Sequence, residues 1–193
     1  MFVDYISLML VNMVAGLFIL AHFVYAGVNQ EDRTRWVPGF AAVGLVAVVT
    51  GFHMALTWPI PRMETANLTF ANVAFGETTV LLGVLFLSAA LACAMKWRLD
   101  AIAIYAFFAG LAAVVVGVQI WCLGLTASPR LAGTGFVLTG LSGVLFCPIA
   151  CCLRDRKEAR VALTLLLVVA GLLWALVAYK AYWGHLASFS QLK

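Results

Sequence analysis

Charge is what this sequence lacks. Asp, Glu, Lys and Arg together make up 10% of its 193 residues, against 65% hydrophobic, and the mean hydropathy is +1.06. A soluble domain carries roughly 25% charged residues, because its surface must meet water. The shortage excludes a soluble enzyme, a disordered tail and a nucleic-acid module. Catalytic motifs are missing too. There is no Ser/His/Asp set, no glycine loop of the kind that cradles phosphate and no pair of carboxylates, so hydrolase and transferase chemistry have no support. Histidine occurs at three positions and cysteine at five. They form neither a Cys-x-x-Cys-His haem attachment motif nor a zinc-type spacing.

What the chain has in abundance is long apolar runs. Residues 5–30, 36–61, 78–95, 101–129, 131–153 and 161–179 carry no Asp, Glu, Lys or Arg. A membrane-crossing helix takes about 20 such residues. The pattern therefore predicts an all-α integral membrane bundle of six transmembrane helices in one domain, near 5–27, 36–58, 74–95, 101–125, 131–153 and 161–183. Short connections make sequential helices antiparallel. A membrane barrel is not expected, since its strands would alternate polar and apolar residues with period two.

Lys and Arg are distributed unevenly along this plan. Arg33, Arg35, Lys96, Arg98, Arg154, Arg156, Lys157 and Arg160 fall in loops one, three and five, and only Arg62, Arg130, Lys180 and Lys193 fall on the other side. Cytoplasmic loops hold the excess of basic residues. Both termini are then expected on the outer (periplasmic or extracellular) side, and the net charge of +4 reads as a topology signal. The start, Met-Phe-Val-Asp, lacks the basic region of a signal peptide, so the first segment is expected to be a retained span.

Placed by depth, the polar residues gather toward the outer halves of the spans. Asp4, Tyr5 and Asn12 open the first, His53 closes the second before Trp58 and Pro59, Glu77 opens the third, and Gln119 and Trp121 end the fourth. Ionisable groups in a span are costly and face the interior or a partner. His53 and Glu77 are the leading pair. A carboxylate beside an imidazole fixes its tautomer, raises its pKa or shares a metal ion. Asn12, Trp58 and Gln119 are the candidate neighbours in an outward-facing pocket, and the loop from Pro59 to Asn72 is a candidate lid. The bland readings stand beside these. Glu77 suits the dipole of a first helical turn, His53 suits a backbone carbonyl, and the loop suits an interfacial connector with Trp58 in the aromatic belt.

Other constellations are weaker. A haem between His53 and His185 needs the sixth helix to sit deep, and His22 lies at the inner end of the first span. Met9, Met13, Met54 and Met63 on the outer side, with Cys93, Cys147, Cys151 and Cys152 on the inner, outline a path for Cu(I), although both residue types are common in cores. The run Arg154 to Arg160 fixes topology and can touch anionic lipid at roughly 1 kcal/mol per basic residue. Gly133, Gly135, Gly140 and Gly143 suggest a close packing seam. Ala15-Gly16-Leu17 recurs as Ala109-Gly110-Leu111, a short match that hints at inverted duplication.

Asp4-Tyr5, Asn12, Thr50-Gly51-Phe52-His53-Met54, Thr57-Trp58-Pro59 and Phe75-Gly76-Glu77 together resemble a family of uncharacterised small prokaryotic polytopic membrane proteins, domain of unknown function 981. The resemblance implies a polytopic bundle and supplies no activity. The expectation is a multi-pass protein of a prokaryotic inner membrane whose pocket binds a small ligand or metal ion, as part of a redox or respiratory assembly. A small proton-coupled secondary transporter and a structural subunit are the alternatives. The expected partners are the lipid bilayer and a homo-oligomer or larger membrane complex, with no nucleic acid. A metal ion or haem is the cofactor class to test.

Overall fold

The computed structural model describes residues 5–28, 32–57 and 70–189. Six α-helices account for nearly all of them: α1 (Ile6–Ala26), α2 (Val37–Thr57), α3 (Thr78–Ala94), α4 (Asp100–Leu123), α5 (Pro129–Cys151) and α6 (Lys157–Phe189). Each is long and apolar enough to cross a membrane when α2 and α3 are taken with the helical turns that lead into them, from Thr34 and Asn72. Their ends follow local chemistry. Glycines with left-handed backbone close α1 (Gly27, φ 111°) and α4 (Gly124, φ 64°), where a side chain would be strained. Pro129 opens α5 at its first position, where its missing N–H costs nothing. The last helix is longer at both ends than the apolar run alone suggests, because Lys157, Glu158 and Ala159 are good helix formers that join its first turn.

Before α2, the chain makes one 3₁₀ turn (Thr34–Trp36). Asp32 organises it by accepting hydrogen bonds from the Thr34 hydroxyl and the Thr34 N–H, at 2.5 and 2.9 Å. These bonds hold the exposed Asp32 carboxyl below its ordinary pKa. Before α3, residues Asn72–Glu77 form a π-helical stretch. Such stretches are uncommon and frequently occur at functional positions.

Each helix packs on its sequence neighbours, and α6 closes back onto α1, so the six form a ring in chain order. Pairing is closest for α2–α3, α4–α5 and α1–α6, and thinnest for α3–α4 among the sequential pairs. Glycine explains the first two. On α2, Gly44 and Gly51 lie two turns apart and face the backbone of Leu87 and Val80, while Gly76 and Gly83 face that of Ala55 and Val48. A β-carbon at Gly51 would fall 2.7 Å from the Val80 nitrogen. The same device recurs between α4 and α5, where Gly110 meets Gly140 and Gly117 meets Gly133, with β-carbons 2.5 and 2.7 Å from carbonyl oxygens. Small residues let membrane helices approach at backbone distance. The regularity is thus a repeated glycine-zipped hairpin. On α5, Gly135 faces α6 instead, against the Trp174 ring.

The α1–α6 seam closes with polar anchors. Thr164 donates to the Ala21 carbonyl at 3.4 Å. Arg160 donates to the Tyr25 carbonyl, also at 3.4 Å, placing a cation at the carbonyl end of α1, where the helix dipole favours it. Asn12 of α1 donates to the Val43 carbonyl of α2 at 2.9 Å.

Candidate functional site

The end of the bundle where α1 starts and α2 stops holds the residues that the sequence singles out. His53 is exposed there, two residues beyond Gly51. Each helical residue turns about 100°, so His53 lies on the face of α2 directed away from α3. That face meets the start of α1. The Tyr5 hydroxyl and His53 Nδ1 share a hydrogen bond of 2.7 Å, with the rings edge to face at 5.3 Å between centroids. Which group donates depends on the imidazole tautomer. His53 Nε2 has no hydrogen-bond partner among the described residues.

Glu77 is exposed at the end of the π-helical stretch, next to Gly76 and therefore beside the α2–α3 seam. Among the described residues, no hydrogen bond or ion pair joins it to His53. Asn12 is used in the α1–α2 hydrogen bond. Gln119 is exposed on α4, two residues past Gly117 and so turned away from α5. Trp58 and the lid segment up to Thr69 lie outside the described residues. Asn72, at the far end of that segment, is helical and donates to the Ala55 carbonyl at 3.3 Å.

The metal and haem readings gain no further ligands. No group of three or more His, Cys, Asp or Glu side chains that could hold a metal ion occurs among the described residues. Met9 and Met54 are buried, 3% and 0% exposed, and pack together with Ala71, which is a core role. All five cysteines are free. His22 sits edge-on to the Trp36 ring at 4.9 Å.

A chamber of about 130 Å³, which no motif in the sequence marks, lies within the ring and is partly open to the outside. All six helices contribute to its wall. Residues of α3 (Thr78, Leu82, Leu85, Phe86) face residues of α4 (Ile102, Ala106, Ala109, Ala113) across it. Two aromatic groups bracket it. Phe23, Phe40 and Phe86 meet edge to face, with centroids 5.3 to 5.5 Å apart, on one side. On the other, Phe136 lies against Phe75 and Trp174 at 5.4 and 5.3 Å. An apolar cavity of roughly 150 Å³ in a protein core stays dry and admits a benzene-sized molecule.

Four hydroxyls belong to that wall. Thr78 and Ser142 donate to backbone carbonyls one turn back in their own helices, the usual fate of a hydroxyl in an apolar helix. Thr139 behaves differently. It accepts a hydrogen bond of 3.0 Å from the Trp174 indole, and Trp174 is 1% exposed. The Thr139 O–H makes no hydrogen bond among the described residues, and neither does that of Thr79. The chamber is therefore apolar with hydroxyl donors to spare. No single sequence motif announces Thr139 or Trp174, since a lone threonine in a glycine-rich span reads as packing.

Fold and cavity together define the class: an all-α ring of six helical segments long and apolar enough to cross a membrane, around a largely apolar cavity that is partly open to the outside. The chain belongs to the family described as protein of unknown function (DUF981), whose model matches residues 1–188. No curated protein matches it, and no solved structure does.

Proposed function

We propose that this protein is a membrane-embedded binding protein for a small lipid-soluble molecule, held in the chamber at the centre of the helix ring. The observation that carries this reading is the chamber's chemistry: aromatic and aliphatic walls with spare hydroxyl donors at Thr139 and Thr79. Ligand pockets are mostly apolar with a few placed polar groups. The matching ligand is an apolar ring or chain of about benzene size carrying one hydrogen-bond-accepting oxygen. The thin α3–α4 seam is the entry route from the bilayer.

In this reading the protein sits in a prokaryotic inner membrane with both termini outside and its arginine-rich loops in the cytoplasm, as the Lys and Arg distribution favours. The Tyr5–His53 pair then lies on the outer face. The His53 Nε2, which has no hydrogen-bond partner among the described residues, is a polar station for a ligand head group or an ion. Proton-coupled transport through His53 and Glu77 has less support, because the two groups share no bond. A purely structural subunit would leave the chamber without a purpose.

The test is solvent extraction of the purified protein followed by mass spectrometry. One lipid-soluble compound should be recovered in near-equal amount with the chain. It should be lost from Ala109→Leu, which fills the chamber, and kept in His53→Ala. Equal recovery from wild type and Ala109→Leu, or only bulk lipid from both, defeats the proposal.

A further inference from the structure

At the opposite end of the bundle, three arginines from three different loops line one small pocket. Arg33 comes from the α1–α2 connection, Arg98 from the α3–α4 connection and Arg154 from the α5–α6 connection, around a space of about 60 Å³. Among the described residues of the lining, Asp100 is the one carboxylate, and Val28, Leu99 and Ala150 are apolar. Two of the cations are held in place. Arg98 donates through Nε to the Asp100 carboxylate at 2.6 Å. Arg33 donates through Nη2 to the Trp97 carbonyl at 2.8 Å. Neither bond uses the full guanidinium. Arg154 is half-buried and has no hydrogen-bond partner among the described residues.

We propose that this pocket binds a phosphate group. Among the described lining residues, three guanidiniums against one carboxylate leave an excess of two positive charges around one small space, with Arg33 and Arg154 half-buried and Arg98 open to solvent. Like charges brought together in this way repel, and an anion relieves the repulsion. Guanidinium is the group that matches phosphate oxygens with paired N–H donors. The positive-inside rule accounts for basic residues in these loops, but not for their meeting at one point. That convergence follows from ring closure, which brings loops one, three and five side by side. Basic pockets between membrane helices at this level take lipid phosphates, and a free phosphate offers the same chemistry.

The experiment measures thermal midpoints of the full chain in neutral detergent, titrated with short-chain phosphatidylglycerol, short-chain phosphatidylcholine or inorganic phosphate. Phosphatidylglycerol should raise the midpoint more than phosphatidylcholine does. In Arg154→Gln the apparent affinity should fall about tenfold, the loss of one charge-assisted hydrogen bond pair. A response to inorganic phosphate as well assigns the site to the phosphate group alone, and a response confined to the lipid assigns it to a lipid head group. Should Arg154→Gln fail to accumulate, Arg98→Gln gives the same readout, since that side chain is 74% exposed and its loss leaves the core intact. No response to either anion, or unchanged affinity in a folded variant, overturns the proposal.

Discussion

α2 meets α3 and the π-helical stretch before it through four glycines, two on each side, whereas α3 meets α4 through leucine, phenylalanine, isoleucine and alanine. The first seam brings backbones together. The second keeps them apart, and the space left over is the chamber. The same contrast holds on the other side of α4, which is zipped to α5 by Gly110, Gly117, Gly133 and Gly140. A ring with every seam zipped would have no interior. A ring with none would lose the close packing that replaces hydrophobic association inside a bilayer. This chain alternates the two, and the alternation locates its binding space.

Volume added at a zipped seam and at the open one should have very different costs. Gly110→Val places a β-carbon 2.5 Å from the Gly140 carbonyl oxygen, where the neighbour is backbone and cannot turn aside. The expected cost is about 3 kcal/mol or more, read as loss of monodisperse protein or a large fall in thermal midpoint. Ala109→Leu adds the same three carbons but faces the chamber, and should cost less than about 1.5 kcal/mol. Equal costs would mean that the α3–α4 seam is as tight as the others.

The next effect in size is at the α1–α6 closure. Gly27→Ala forces a side chain onto a φ of 111° and sets its β-carbon 2.7 Å from Arg160 Nη1. It should lower stability by about 1–3 kcal/mol, measured by the midpoint in detergent. Smaller still is Asn12→Leu, which removes a single interhelical hydrogen bond to Val43. The expected loss is about 0.6 kcal/mol, with the bundle otherwise intact. A large loss there would give the α1–α2 seam a polar dependence that the glycine seams lack.

The smallest effect is present at neutral pH and lost in acid. The Asp32 carboxyl is held below its ordinary value of 3.8 by Thr34. A depressed carboxylate contributes stability above its unfolded pKa and loses that contribution as pH falls through the folded value. Midpoints of wild type and Asp32→Asn should therefore differ by a constant small amount at neutral pH and converge below pH 3.8. A difference that grows toward alkaline pH would contradict the assignment.

The sequence makes the spans legible because apolar runs of membrane length have few other solutions. Their glycines are legible as packing surfaces for a related reason. What the sequence hides is which helices meet. Ring closure by α6 on α1 leaves no local trace, so the chamber and the arginine pocket both stay out of sight. Around His53 the obstacle is one of phase. A carboxylate is the chemically attractive partner for an imidazole, but Gly51, two residues earlier, commits the opposite face of α2 to α3. Tyr5, read only as a polar residue near a helix end, is the group that His53 meets.

Whether the cavity within the ring takes an apolar guest is tested by a crystal structure of the protein under xenon pressure. Xenon enters apolar cavities of this size. Xenon density is expected among Phe40, Phe86 and Phe136, and none in Ala109→Leu. A chamber filled instead by repacked side chains, or by a chain of ordered water molecules, would contradict that expectation.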